Sequence, residues 1–376
     1  MAEYKTLVKK IPISPDKKTK QKDYLKKGQL PIVDQGQSLV GGYTDDANMT
    51  VECELPVIVF GDHTRAVKYI TFPFGAGADG IKVLQPKENI LPPFLYYGTQ
   101  YIVAKMPNRG YARHYQYVEK EDLPVPSLPE QERIVARIEE LFSQLDAGVE
   151  TLKKTKAQLA VYRQAVLKEA FESVIPESDT CNVEDVCKDI KVGIVIKPAQ
   201  YYTSADVGVR AFRSANVREF AVNDSDWVYL TKAGHEANLR SEIHTGDVLV
   251  VRSGYPGTAC VVPPTYNGCN AIDILIAVPY AEKILPEYLC AYTNSPLGKR
   301  IIQEKKRGVA QAHFNVSGYS KTPIIVPCLE TQKRVVAEID SRLSVCDSIE
   351  QTVDVALQQA EAMRQSILKD AFEGKL

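Results

Sequence analysis

VPSLPEQERIVARIEELFSQLDAGVETLKKTKAQLAVYRQAVLKEAFE, residues 125–172, decides the fold of this chain because it recurs 201 positions later. Residues 326–373 read VPCLETQKRVVAEIDSRLSVCDSIEQTVDVALQQAEAMRQSILKDAFE and align with it without a gap. About 19 of the 48 aligned pairs are identical. The identical pairs include Gln131/Gln332, Asp146/Asp347 and Arg163/Arg364. Self-similarity at a fixed offset indicates a repeated architecture, so the chain is predicted to contain two copies of one plan.

Each of the two stretches has the pattern of a single long helix. Steps of four and three residues from Ile134 to Val166, and from Val335 to Ile367, fall mostly on apolar residues. A 3.5-residue period over this length predicts a coiled coil, and the natural partner of each helix is the other one. A helix of about 44 residues is ~66 Å long. We therefore expect an antiparallel helical pair that acts as a spacer between two globular domains.

The regions before the helices have the texture of β-rich domains. Short apolar runs at 55–60, 67–72, 81–84, 248–252 and 272–278 are bounded by Gly, Pro, Asn and Asp, as strands are. Helical segments are expected around 92–99 and 286–307. The predicted class is α+β with a pseudo-twofold repeat, divided into a first β-rich domain (1–124), a first spacer helix (125–174), a second β-rich domain (175–324) and a second spacer helix (325–376).

Short sequence anchors extend the repeat into the two domains. LPPFL at 91–95 matches LPEYL at 285–289, and Gly61-Asp62 is matched with Gly246-Asp247. Residues 27–36 are likewise aligned with 207–216. Between these anchors the two domains share almost nothing. They are therefore expected to have one fold and two different surfaces, as two units that recognise different targets would.

The charge balance is near zero, but the charges are not evenly spread. The formal net charge of the 376 residues is −1, while the first 27 residues carry nine lysines against three acids. A second basic cluster spans 299–307, and acids gather in the long helices. Basic faces of this kind suit nucleic acid, although a run of lysines can equally be a solvated surface.

Catalytic motifs were sought without success. Gly75 to Gly80 fits GxGxxG, but a strand-like stretch ended by Pro86 follows it, so no helix N-terminus would face a phosphate. The sequence has no GxxxxGK[ST] motif, no Asn/Asp-Pro-Pro-Tyr/Phe motif of amino-methyltransferases and no grouping of its five histidines. The eight cysteines lack metal-ligand spacing and are expected to be reduced. No long apolar run and no signal peptide is present, so a cytoplasmic location is expected.

Several stretches of the sequence resemble those of a known protein family. The P-x-L-x-E-Q helix ending in LKEAFE, repeated after a second variable domain, resembles the specificity subunit of type I DNA restriction-modification enzymes. PIVDQG (31–36), FGDHTR (60–65) and FPFGAGADGIKVLQP (72–86) look like one subtype of that family's target recognition domains. GDVLVVRSGYPGTACVVP (246–263) and GVAQAHFNVS (308–317) look like another. The resemblance covers essentially the whole chain.

The resemblance implies a non-catalytic subunit that binds double-stranded DNA, two methyltransferase subunits and further restriction subunits. Each recognition domain would read one half of a bipartite asymmetric site, and the helices would set the unread gap and dock the methyltransferases. No cofactor is expected on this chain. S-adenosylmethionine, for methylation of adenine, and ATP with magnesium, for an ATP-dependent endonuclease, would belong to the partner subunits.

Within that interpretation, base contacts are expected from polar side chains of the loops, which can reach base edges. The candidates of the first domain are Gln35, Gln37, Tyr43, His63, Thr64, Arg65, Arg109, Arg113 and His114. Those of the second are Arg213, Asn216, Arg252, Ser253, Tyr255, Gln311, His313 and Asn315. Phosphate contacts, which position the protein, are expected from Lys17, Lys18, Lys20, Lys305, Lys306 and Arg307. For each residue a purely structural role is an open alternative.

Two other functions remain open on the sequence alone. A coiled-coil scaffold that joins two protein-binding domains would explain the repeat equally well, but not the clustered lysines. A stand-alone nuclease or methyltransferase is the second alternative, but the sequence has none of the catalytic motifs named above.

Overall fold

The structure is a computed structural model that describes residues 1–78, 80–107, 110, 112–175, 178–307 and 314–376, without the side chains of 305–307. The chain divides into two compact units. The first unit combines Met1–Lys153 with Asp354–Leu376, and the second is Lys154–Val353. Each unit thus holds one β-rich region, part of one long helix and part of the other.

The first unit is built on two four-stranded sheets. One is antiparallel and has the strand order Val8–Ile11, Ile81–Pro86, Val57–Gly61, Val67–Ile70. The other is mixed and has the order Lys18–Thr19, Gly75–Gly77, Leu30–Val33, Gly42–Thr44. A short pair, Ala2–Glu3 with Asp122–Leu123, joins the two ends of the β-rich region.

The second unit repeats the antiparallel sheet, but its mixed sheet differs at one edge. Tyr202–Thr203 pairs antiparallel with Val228–Leu230, whereas Lys18–Thr19 of the first unit pairs in parallel with Gly75–Gly77. Its antiparallel sheet has the order Cys187–Val192, Ile274–Pro279, Val248–Val251, Ala259–Val261. Its mixed sheet has the order Tyr202–Thr203, Val228–Leu230, Val209–Phe212, Asn270–Ala271. The closing pair is Asp179–Asn182 with Pro323–Val326, and a hairpin of Val217–Arg218 and Ala221–Val222 is added.

Strand pairing fixes how the two domains correspond and corrects two anchors of the sequence alignment. Ile32 pairs in parallel with Gly75, and Ala211 pairs in parallel with Asn270. Ile32 therefore corresponds to Ala211, one residue away from the alignment of 27–36 with 207–216. The match of Gly61-Asp62 with Gly246-Asp247 is wrong, because the first pair ends a strand and the second precedes one.

Helices cover one face of each antiparallel sheet. The helices of the first region are Tyr4–Leu7, Pro92–Lys105, Tyr115–Val118 and Leu128–Glu172. Those of the second are Lys232–Glu236, Pro286–Asn294, Pro296–Arg307, Val316–Ser320 and Leu329–Phe372. The single helix expected over 286–307 is two helices, because Pro296 lacks an N–H and clashes with the preceding turn.

The Phe that both repeats have near the end of the long helix is anchored in a domain core. In the first unit Phe372 stacks on Tyr101 at 5.3 Å and contacts Phe94 at 5.0 Å, measured between ring centroids. In the second unit Phe171 packs edge-on against Tyr288 and Tyr292 at 5.3 and 5.2 Å. The repeated LKxAFE motif is therefore the point at which a helix docks on a globular domain.

The two long helices pack antiparallel within each unit. In the second unit Arg163 pairs with Asp347 at 2.6 Å and with Glu350 at 3.0 Å. In the first unit the homologous Arg364 pairs with Asp146, and its guanidinium lies 4.3 Å from the Phe142 ring centroid. The identical residues of the repeat thus make the same ion pair twice, with donor and acceptor exchanged between the helices.

Candidate nucleic-acid interface

In the first unit, two strands of different sheets end side by side and bring candidate residues together. Loop 34–37 follows Leu30–Val33, and loop 62–65 follows Val57–Gly61. The Thr64 hydroxyl donates to the Gln35 carbonyl, and Gln37 Nε2 lies 3.5 Å from the Thr64 carbonyl oxygen. The two loops form one polar rim.

Gln35 lies in the middle of this rim, against His63 and Gly80. Gly80 has φ +74°, and a Cβ there would lie 2.5 Å from Gln35 Oε1 and 3.1 Å from His63 Cδ2, so only glycine fits. Within the described part of the chain, the buried Gln35 Oε1 has no hydrogen-bond partner. Gln35 therefore has an acceptor at the rim that no described group of the protein uses.

A buried ion pair that sequence reasoning missed supports loop 34–37. Lys68, only 4% exposed, donates from Nζ to the Asp34 carbonyl at 2.7 Å, and Nζ lies 3.5 Å from Asp34 Oδ1. The same carboxylate accepts the Gly36 N–H at 2.9 Å. Burial lowers the pKa of Lys68. The only sign of this ion pair in the sequence is a lysine at an inward-facing position of the strand Val67–Ile70.

A basic groove of about 820 Å³ runs beside this rim. Lys18, Lys20, Lys22, Tyr24 and Gln35 are among its lining residues. Two expected phosphate contacts therefore lie beside an expected base contact. Burial, with the nearby Asp34 carboxylate, raises the pKa of Tyr24 to about 12, so its hydroxyl stays a hydrogen-bond donor. Tyr24 was not among the candidates.

Three other candidates of the first unit lie away from the groove lining. Lys17 points to Glu52, with Nζ 2.8 Å from Oε1. Tyr43 lines a neighbouring concavity of about 470 Å³. Arg65, at φ +60°, donates to the Met106 carbonyl at 3.3 Å.

His114 has the position of a structural residue. It is 0% exposed, and its Nδ1 lies 3.0 Å from the Asp62 carbonyl oxygen. The next residue, Tyr115, donates its N–H to Asp62 Oδ1 at 2.9 Å. A base edge cannot reach a fully buried ring, so His114 is left out of the interface proposed below. Arg113 is exposed, and Arg109 lies outside the described residues.

In the second unit, arginines stand where the first unit has acids. The parallel pairing places Arg213 at the position of Asp34, one residue after the corresponding strand. The backbone bonds from Phe314 N to the Arg252 carbonyl (3.0 Å) and from His114 N to the Asp62 carbonyl (2.8 Å) equate Arg252 with Asp62. The polar rims of the two domains thus carry opposite charge at equivalent positions.

Both arginines are oriented by acids. Arg213 Nη2 lies 2.9 Å from Asp226 Oδ2, and Arg252 Nη1 lies 3.1 Å from Asp273 Oδ1. The Nε atoms of both arginines are buried and have no hydrogen-bond partner among the described residues. The acids thus fix the direction of each guanidinium, and an arginine held in one direction is the residue type that donates to guanine.

The second unit has a larger cavity, of about 1070 Å³, next to the loop 253–256. Ser253 and Tyr255 line it together with Arg218, Lys299 and Gln303, and Tyr255 is 85% exposed. Arg218 and Gln303 were not candidates, although both belong to segments that only this domain has in this form. Aromatic, basic and amide groups here meet the requirements for contacting a polyanion.

The remaining candidates of the second unit divide into buried, capping and undescribed residues. Asn216 is 0% exposed, and its side chain bonds to backbone groups of 213, 223 and 225, so it too is left out of the proposal. Asn315 is exposed but caps the helix Val316–Ser320 through the Gly318 N–H at 2.7 Å. Gln311 and His313 lie outside the described residues, as do the side chains of Lys305, Lys306 and Arg307.

The described residues offer neither a metal site nor a membrane span. They contain no group of three or more His, Cys, Asp or Glu side chains placed to hold a metal ion. None of their helices is both long and apolar enough to cross a membrane.

Comparisons with known proteins agree with the resemblance in the motifs. Residues 10–160 match the family model of the type I restriction modification DNA specificity domain. The EcoBI specificity subunit of Escherichia coli is 25% identical over 373 residues, which cover 90% of this chain and 74% of that protein. The EcoKI specificity subunit of Escherichia coli K12 is 25% identical over 274 residues, or 68% of this chain and 58% of that protein. The type I specificity domain is therefore matched over residues 10–160 of this chain, and both relatives are specificity subunits of type I restriction enzymes.

A similarity of fold extends along the whole chain. A solved structure on complex assembly and conformational transition of the type I R-M system has a chain that matches with a TM-score of 0.71 at 16% identity. The match covers 100% of this chain and 97% of that chain. This chain therefore has the fold of that solved chain in both repeats, including the second, which lies beyond the family-model match.

Proposed function

We propose that each β-rich domain of this specificity subunit reads one half of a bipartite asymmetric site in double-stranded DNA. The long helices set the gap between the half-sites and dock two methyltransferase subunits, and restriction subunits join the assembly. The chain itself is non-catalytic and works in the cytoplasm. S-adenosylmethionine and ATP act on the partner subunits, which methylate adenine and cleave DNA.

The observation that carries this proposal is the reversal of charge at equivalent strand ends. Asp34 and Asp62 of the first domain correspond to Arg213 and Arg252 of the second. A scaffold made of two copies has no need of such divergence on one fold. Two half-sites with different bases do need it, because an accessible acid accepts from cytosine or adenine amino groups and arginine donates to guanine. Of the two acids, Asp34 has a side chain that is 20% exposed, whereas Asp62 is only 3% exposed and accepts the Tyr115 N–H, so it shapes the rim without touching a base.

The direct test is selection of duplexes from a random library by the full chain bound to its methyltransferase subunits. We expect two short defined sequences separated by a gap of constant length and no preference within it. A single continuous motif would contradict the bipartite reading. Absence of any duplex binding at low salt would favour the scaffold alternative.

Lys18→Ala is expected to weaken binding to all duplex sequences alike and to lower the salt slope by about one. Lys18 lines the basic groove of the first unit, where a phosphate would release counterions from the DNA. The measurement is the dissociation constant at several salt concentrations. Lys17→Ala is the matched control, because Lys17 is already paired with Glu52. Equal slopes for the two variants would remove Lys18 from the phosphate contacts.

Arg252→Ala is expected to cost about 1–3 kcal/mol of specific binding and to relax selectivity at one base pair of the second half-site. Non-specific binding should change little, since the side chain is only 14% exposed and is directed by Asp273. Binding to singly substituted duplexes measures this. Arg334→Ala removes the same charge from an exposed helix position and should leave selectivity unchanged. A uniform loss over all duplexes would instead make Arg252 a phosphate contact.

A further inference from the structure

A glutamine near the start of each long helix shows which residues of the two repeats are at equivalent positions. Gln131 accepts from Leu91 N at 2.8 Å, and Gln332 accepts from Leu285 N at 2.9 Å. Counting from Leu91 and Leu285 makes Tyr96 equivalent to Cys290 and Tyr97 equivalent to Ala291. Counting from Gln131 and Gln332 makes Glu139 equivalent to Asp340. Side chains at one position of the repeat can therefore be compared directly.

In the first unit this place is filled by the chain's own aromatic rings. The rings of Tyr96 and Tyr97 lie 5.1 Å apart between centroids, and Tyr97 packs edge-on against Phe142 at 5.7 Å. Burial raises the pKa of Tyr97 to about 12, and the Glu139 carboxylate beside it adds to this rise. In the first unit aromatic side chains thus fill this position, and the Tyr97 hydroxyl faces the Glu139 carboxylate.

In the second unit the same place is open. Cys290 and Ala291 are too small to fill it, and a cavity of about 140 Å³ remains over Ile339. Phe220 forms one wall, is 37% exposed and has φ +63°, a conformation that costs a non-glycine residue free energy. This volume is well above the ~10–15 Å³ that one water occupies, so a side chain can enter.

The open place is also acidic. Glu287 stands where the first unit has Pro93, and both Glu287 and Asp340 line the cavity. Burial, and then the Glu287 carboxylate, raises the pKa of Asp340. Among the described residues neither carboxylate has an ion-pair partner, and Asp340 lacks the tyrosine that its counterpart Glu139 has. A bound cation would relieve this repulsion.

We propose that this acidic socket, formed by Phe220, Glu287, Cys290, Ala291, Ile339 and Asp340, receives a lysine or arginine side chain of a methyltransferase subunit. The occupant must have an apolar stem, to fill the space that Tyr97 fills in the first unit, and a cationic head for the two carboxylates. The two repeats are then inequivalent docking surfaces, because the described residues of the first unit fill the position that is a socket in the second. This inference rests on the proposed docking of methyltransferase subunits to the long helices.

Two substitutions in the full chain test the socket by titration calorimetry with a type I methyltransferase subunit that binds the unsubstituted chain. Ala291→Tyr copies the first unit and should weaken one of two binding events about tenfold or more while leaving the other unchanged. Asp340→Asn removes charge with little change of shape and should weaken the same event about three- to fivefold. Glu139→Gln, at the filled position of the first unit, is the matched control and should change neither event.

Unaltered binding by Ala291→Tyr, with an unchanged melting temperature, would overturn the socket. Equal effects of Asp340→Asn and Glu139→Gln would overturn it as well. A wild-type chain that binds no methyltransferase subunit would refute the docking part of the proposed function, and the socket with it. That failure is visible before any substitution is made, so the two failures are distinguishable.

Discussion

Removing one heptad from each long helix is expected to abolish modification of the original DNA site and to transfer it to sites with a shorter gap. The deletions are residues 147–153 of the first helix and 357–363 of the second. Both deletions lie in the first unit, and each directly adjoins one residue of the Asp146–Arg364 ion pair. The two deleted heptads lie opposite each other in the register that this ion pair sets. The remaining residues of the two antiparallel helices therefore keep their partners.

The size of the effect follows from helix geometry. Seven residues shorten a helix by about 10 Å, which is the length of roughly three base pairs at ~3.4 Å each. Seven residues also return a helix almost to the same face, whereas three base pairs turn the duplex by about 100° when ~10.5 make a full turn. The new sites should therefore be bound more weakly, while both half-site sequences stay the same.

Methylome sequencing of cells that express the shortened subunit with its partners measures this result. The control keeps the length and changes the same heptads, with Gly148→Ala and Glu361→Ala. A Cβ at Gly148 meets nothing within 4 Å, and Glu361 is exposed, so the gap should not change. An unchanged gap in the deletion variant would show that the helices do not set the spacing.

The sequence predicted the parts of the fold that repeat with a fixed offset. Identity between two long stretches constrains both at once, and the reciprocal pairs Arg163–Asp347 and Arg364–Asp146 show why those residues are the same in both. An antiparallel pair of homologous helices brings each arginine to the other helix's aspartate. Periodicity alone therefore sufficed for the helical pair.

The domains were harder to predict because their strands are only two to six residues long. In such short strands, Gly61-Asp62 and Gly246-Asp247 look alike although one follows a strand and the other precedes one. Only the hydrogen-bonded partner across the sheet distinguishes them, and that partner is far away in the sequence. The same applies to the one-residue shift between Ile32 and Ala211.

For the candidate residues, the sequence indicated positions at strand ends but not the contacts that the side chains make. Strand ends and lysine runs pointed to the rims where Gln35 and Arg252 lie. The pairs Lys68–Asp34 and Arg252–Asp273 join residues far apart in the sequence, so no local pattern announces them. Conversely, His114 and Asn216 have the polar character of contact residues, but burial and backbone hydrogen bonds give them structural roles.

Gln332→Ala is expected to lower the free energy of unfolding of the second unit by about 3 kcal/mol. The side chain is 0% exposed and holds three backbone groups together. Its Oε1 accepts from Leu285 N at 2.9 Å, and its Nε2 donates to the carbonyls of Lys283 and Pro327, both at 2.9 Å. Alanine would leave all three groups without this partner, and each buried unpaired group costs ~1–3 kcal/mol, less what water entering the gap restores.

Chemical denaturation of the full chain measures this loss, with Gln351→Ala, an exposed glutamine of the same helix, as the matched control. Gln131→Ala should destabilise the first unit to a similar extent, because Gln131 is also 0% exposed and bonds to Leu91 N, Asn89 O and Pro126 O. Since the glutamine ties the domain to the start of its long helix, the loss should be the same in both repeats although their surfaces differ. A loss below about 0.5 kcal/mol, the range of ordinary surface substitutions, would mean that neither glutamine holds its domain to its helix.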